Sequence, residues 1–138
     1  MTARLLIAVA ALAPLAACET APMKAFTTDA KSAWSQLTGS GSSKGQAALN
    51  TGLKQYDDGE YPPAAKSLQS ALDQGLSDKD KVNAHKHLAF IHCSQGRNGA
   101  CREEFRKALA IDPSMDLAPA EAGHPAWGPI FRSLKAGR

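Results

Sequence analysis

One spacing recurs along this chain of 138 residues and constrains its fold more than any single motif. Gly52, Gly59, Tyr61, Ala64, Leu68, Ala71 and Leu72 return in type as Ala89, Gly96, Asn98, Cys101, Phe105, Ala108 and Leu109, each 37 positions on. A pattern with a period of that order marks a supersecondary unit that buries its apolar face against its neighbours. Small residues at Gly52/Ala64 and Ala89/Cys101 let two antiparallel helices approach closely. Gly59 and Gly96 stand where a glycine ends the first helix of a pair. Leu68 and Phe105 are large enough to fill the space between pairs. Pro113, after Leu109-Ala110-Ile111-Asp112, stops the last of these helices. The expected fold is therefore all-α.

The pattern resembles the tetratricopeptide repeat family, whose period is about 34 residues. The second unit follows it most closely, from Ala84-His85-Lys86-His87-Leu88-Ala89 through Phe105-Arg106-Lys107-Ala108-Leu109 to Pro113. The first is looser, with Thr51 in place of a large apolar residue and no closing proline before Ser77-Asp78-Lys79-Asp80. The resemblance implies a short array of two helix-turn-helix repeats, about 46–76 and 82–113. Two repeats are fewer than such arrays usually need. The remainder is expected from a C-terminal capping helix at about 124–136, with Pro125 in its first turn. Trp127, Ile130, Phe131 and Leu134 recur there at helical spacing. Trp127 is read as core.

The N-terminus carries an address. Arg4, the apolar stretch Leu5 to Ala13 and the small residues before Cys18 have the layout of a secretory signal. The apolar stretch is too short to span a bilayer, which takes about 20 residues. Leu15-Ala16-Ala17-Cys18 resembles the lipobox of bacterial lipoproteins. That resemblance implies removal of residues 1–17 and covalent lipid on Cys18; Glu19, in place of an inner-membrane Asp, points to the outer membrane, facing the periplasm. Residues 18–45 are expected to form a tether, with a short helical face at Phe26, Ala30, Ala33, Trp34 and Leu37. Gly39-Ser40-Gly41-Ser42-Ser43 has the composition of a flexible linker, and the repeat domain is expected over 46–138.

The chain has three cysteines, an odd number for a secreted protein. With Cys18 lipidated, Cys93 and Cys101 are left as a pair flanking Gly96-Arg97-Asn98-Gly99, a turn composition. A disulfide there is the expectation. The alternative is a metal or redox site drawn from His85, His87, His92, Cys93, Cys101 and His124. Its spacing is poor: His85 and His87 do not share a helix face, and no C-x2-C pair is present.

The formal charge of +3 falls to +2 without Arg4, too little for a nucleic-acid footprint. No phosphate loop, nucleophile elbow or H-E-x-x-H helix is present. No catalytic residue, metal or cofactor beyond the lipid is expected. By the family resemblance, the first helix of each repeat lines a groove, here Leu49, Leu53, Tyr56, Asn83, Lys86 and Phe90, with Gln46, Asp57, Cys93 and Ser94 beside them. An apolar centre with polar edges suits a docked peptide or helix. Asn83 and Lys86 resemble part of a carboxylate grip, but Leu53 and Phe90 stand where its asparagines would be. The expected partner is another cell-envelope protein, with the membrane reached through the lipid. Phe105-Arg106-Lys107-Ala108-Leu109 and Gly123-His124-Pro125-Ala126-Trp127-Gly128-Pro129, with the cysteine pair, resemble type VI secretion-associated lipoproteins of proteobacteria. A pilotin-like lipoprotein for secretin assembly is the nearest alternative.

Overall fold

The computed structural model describes residues 42–137. The expected signal peptide, Cys18 and all of the tether before Ser42 lie outside the described residues. Six helices follow in order: α1 (Ser43–Asp57), α2 (Tyr61–Gln74), α3 (Asp78–Ser94), α4 (Asn98–Ile111), α5 (Pro119–Ala122) and α6 (Gly128–Ala136). Among the described residues there is no strand, and no helix is long and apolar enough to cross a membrane.

Serines start the two repeats. Ser42 Oγ accepts from the Gly45 N–H at 2.9 Å and donates to the Gln74 carbonyl at 2.7 Å. One side chain thus satisfies an orphan donor of α1 and ties it to the end of α2. Ser77 caps α3 within its own first turn, accepting from the Asp80 N–H at 3.2 Å and donating to the Asp80 carboxylate at 2.6 Å. Asp78 and Asp80 place negative charge against the N-terminal dipole. Both helices therefore begin earlier than the repeat boundaries at 46 and 82 read from the sequence, and Ser42 and Ser43 belong to the fold rather than to a linker. Gly59 and Gly96 close the first helices with φ of 80° and 72°, a region open to glycine without steric cost.

Helices pack as neighbours, α1 on α2 and α3 on α4, with α3 also resting on α1 and α2. At Gly52 a Cβ would lie 2.8 Å from Leu68 Cγ, so the first pair is as close as its residues allow. Leu49, Ala64, Leu68, Ala71, Ala84, Leu88 and Ile91 form a core between the repeats. A second core joins Phe90, Phe105 and Leu109 to Trp127, Ile130 and Phe131 from the C-terminal segment. The architecture is a short tetratricopeptide-like array closed by a C-terminal cap. That cap differs from the single helix expected over 124–136. Residues 125–127 form a turn, Pro129 rather than Pro125 occupies the first helical turn, and the short α5 precedes it.

Cys93 and Cys101 are joined across the α3–α4 turn, with Cα atoms 5.2 Å apart. Closing this short loop is worth roughly 2.6 kcal/mol on the chain-entropy account. Urea unfolding of the Cys93→Ala/Cys101→Ala variant should therefore show a loss of about 2–3 kcal/mol.

Candidate functional site

The inner face of α1 and α3 is where the sequence places a groove, and the structure divides it. Leu49 and Phe90 do not line it: they are 1% and 2% exposed and belong to the two cores. Cys93 is likewise buried. Leu53 and Tyr56 remain half-buried on α1, as do Asn83 and Lys86 on α3, while Asp57 and Ser94 are exposed.

Phe90 is hidden because the chain folds back over it. Trp127 stacks on its ring with centroids 4.4 Å apart. The indole N–H donates to the Glu121 carbonyl at 2.8 Å, and His124 lies flat on the outer face of the indole at 3.3 Å. Lys86 Nζ donates to Glu121 Oε1 at 2.8 Å. Glu121 Oε2 also accepts from the Ala118 N–H at 3.0 Å. Burial pushes the Glu121 carboxyl up, but the Lys86 and Ala118 hydrogen bonds outweigh it and hold it below the usual range. Residues 118–127 thus occupy the α3 side of the inner face. Sequence reasoning missed Glu121 and His124 in this role, since Lys86 and Glu121 lie 35 residues apart with no local period joining them.

What stays open is an aromatic and apolar strip. Tyr56 meets His87 edge-on at 5.0 Å and Tyr61 at 5.5 Å, and it packs against both cores. Burial raises its phenol to about 12, so it stays neutral and serves as a contact. Between α3 and the chain after α4, a cleft of about 230 Å³ is lined by Lys79, Asn83, Lys86 and Met115, with Asp80 and Asp116. Two acids oppose its two lysines, and Lys86 is already paired. The carboxylate grip hinted at by Asn83 and Lys86 is therefore not assembled.

The histidines do not converge. His85 Nδ1 lies 2.6 Å from Glu104 Oε2, joining α3 to α4, and Lys107 donates to the other carboxylate oxygen at 2.7 Å. His87 Nδ1 donates to the Asn83 carbonyl at 2.8 Å, His124 is on Trp127, and the buried His92 Nδ1 has no hydrogen-bond partner. Among the described residues, no three His, Cys, Asp or Glu side chains gather to hold a metal.

These groups give the domain a two-stage acid response. Burial lowers the pKa of His87 and His92 below 6.5. The unfolded chain then takes up protons first, and stability falls as pH drops below that value. For Glu104, burial pushes the carboxyl up, but His85 and Lys107 outweigh it and hold it below 4.5. Its contribution is present above that pH and is lost as pH falls through the lowered value. Chemical unfolding at a series of pH values should show both declines. His87→Gln should flatten the upper one and Glu104→Gln the lower.

Comparison with known proteins gives one relative. The photosystem I assembly protein Ycf3 of Synechococcus sp. (strain CC9605) is 30% identical over 81 residues, covering 57% of this chain and 47% of that protein. The chain therefore spans about half the length of the curated relative it matches. No protein-family profile and no solved structure matches significantly.

Proposed function

We propose that this protein is a binding adaptor: a two-repeat helical domain that holds another protein, without chemistry of its own. The observation that carries this reading is the half-exposed strip of Leu53, Tyr56 and His87, left open where the chain's own cap stops. The similarity to a protein named for assembly work supports the same broad role. The finer reading is a lipoprotein, anchored through Cys18 in the outer membrane and facing the periplasm, that serves as an accessory of a type VI secretion system. Several acyl chains on one residue give stable anchoring where one gives only marginal binding.

The test is co-expression with the envelope-spanning components of such a system, followed by affinity capture through the adaptor. One of those components is expected to be captured by the native chain and lost with Leu53→Asp or Tyr56→Ala, while circular dichroism shows both variants folded. Capture unchanged in both variants would remove the strip as the docking surface. Cys18→Ser should move the protein from the membrane to the soluble fraction.

A further inference from the structure

A cleft of about 380 Å³ opens on the far side of the cap, between α6 and the chain leading into α5. Its size falls within the range of ligand sites, about 300–1,000 Å³. The floor is apolar: Phe131, only 3% exposed, with Ala122 and Gly128. Arg132 and Lys135 line it from adjacent positions on one turn of α6, a helix with no acidic residue. Each is held in place by a backbone carbonyl, Arg132 Nη1 on Ala122 at 3.0 Å and Lys135 Nζ on Met115 at 2.9 Å. Neither is in an ion pair. Lys135 Nζ also lies 6.0 Å from the centre of the Phe131 ring. A guanidinium carries five N–H donors and an ammonium three, so each has donors beyond its one carbonyl. Asp116 also lines the cleft, its Oδ1 accepting from the Leu117 N–H at 2.9 Å.

We infer that this cleft is a second docking site, which takes a peptide segment of a partner protein carrying an acidic side chain next to a large apolar one. The apolar residue covers Phe131 and Ala122, and the carboxylate meets Arg132 and Lys135 in charge-assisted hydrogen bonds. Asp116, exposed at the rim, favours a peptide. It accepts hydrogen bonds and donates none, and a peptide supplies backbone N–H groups for it. A fatty acid has no such donor. The inference rests on the adaptor reading only for the protein origin of the segment.

The test is a titration of the isotope-labelled mature chain, followed by amide NMR, with acetyl-Glu-Leu-amide as probe. Acetyl-Gln-Leu-amide and octanoate are titrated alongside. Saturable shifts are expected at Ala122, Gly128, Phe131 and Arg132, with the glutamine probe about tenfold weaker, the loss of one charge-assisted contact. Octanoate is expected to be weaker than the glutamate probe. Arg132→Gln and Lys135→Gln should each weaken binding in a chain whose spectrum stays dispersed, and the probe series on the native chain stands whether or not they fold. Equal binding of the two peptides, or no saturable shift at the cleft, overturns the inference. Tighter binding of octanoate overturns it in favour of a fatty acid. Leu53→Asp should leave probe binding unchanged, so a failed partner capture and a failed cleft are told apart.

Discussion

Phe90→Ala is expected to lower the free energy of unfolding by about 3–5 kcal/mol, the usual cost of removing a buried phenylalanine. The ring is 2% exposed and sits between Trp127, stacked at 4.4 Å, and Phe105, edge-on at 5.9 Å. Truncation would leave a cavity walled by Trp127, Phe105 and Tyr56, rings fixed on three separate elements, which cannot readily close it. Small domains are stable by only about 5–15 kcal/mol, so the change takes a large part of the total. Urea unfolding followed by far-ultraviolet circular dichroism measures it. Tyr56→Ala, a few ångströms away but half-buried, should cost distinctly less. A Phe90→Ala chain as stable as the native one would mean that the ring faces a groove after all and that the cap does not close over it.

The contrast between Phe90 and Tyr56 shows how far the sequence could be read. The recurrence at 37 positions located the small residues Gly52, Ala64, Ala89 and Cys101, and the large Leu68 and Phe105 at the centres of the packing. Those are local and nearest-neighbour properties, which periodicity encodes. The caps lie outside that period. Ser42 sits in a stretch of linker composition, and Ser77, though three residues before Asp80 in a capping pattern, precedes the repeat boundary read at 82. What periodicity does not encode is which distant segment covers a face. Phe90 holds an inner-face position in its helix, and within α3 nothing distinguishes an exposed inner face from a covered one. The cover comes from Trp127, across a loop whose path is set by Met115 and Leu117 entering the second core. The same limit hid Glu121: a lone glutamate in a short turn-rich stretch gives no sign that Lys86 is its partner.

Removing the chain from Pro119 onward is expected to abolish cooperative folding of the whole domain, and to do so through lost apolar contact rather than lost charge. The deletion takes away Trp127, Ile130 and Phe131, which are 7%, 9% and 3% exposed, and uncovers Phe90 and Phe105. Aromatic side chains bury about 150–250 Å² each. At about 25 cal/mol per Å², losing two and exposing two more is on the order of 10 kcal/mol or above, comparable with the full stability of a small domain. The Lys86–Glu121 pair is partly solvated, with side chains 21% and 25% exposed, and an ion pair in that setting is worth about 1 kcal/mol at most. Lys86→Gln should therefore leave the cap in place and the unfolding midpoint nearly unchanged. The truncated chain should instead lose its near-ultraviolet signal and its sharp transition, with the disulfide alone holding α3 to α4. Trp127→Phe, which keeps a ring on Phe90, should fall between the two. A truncated chain that still unfolds cooperatively near the native midpoint would show that the two repeats fold without their cap. The α3 side of the inner face would then be open to a partner, and Phe90 would return to the list of docking residues.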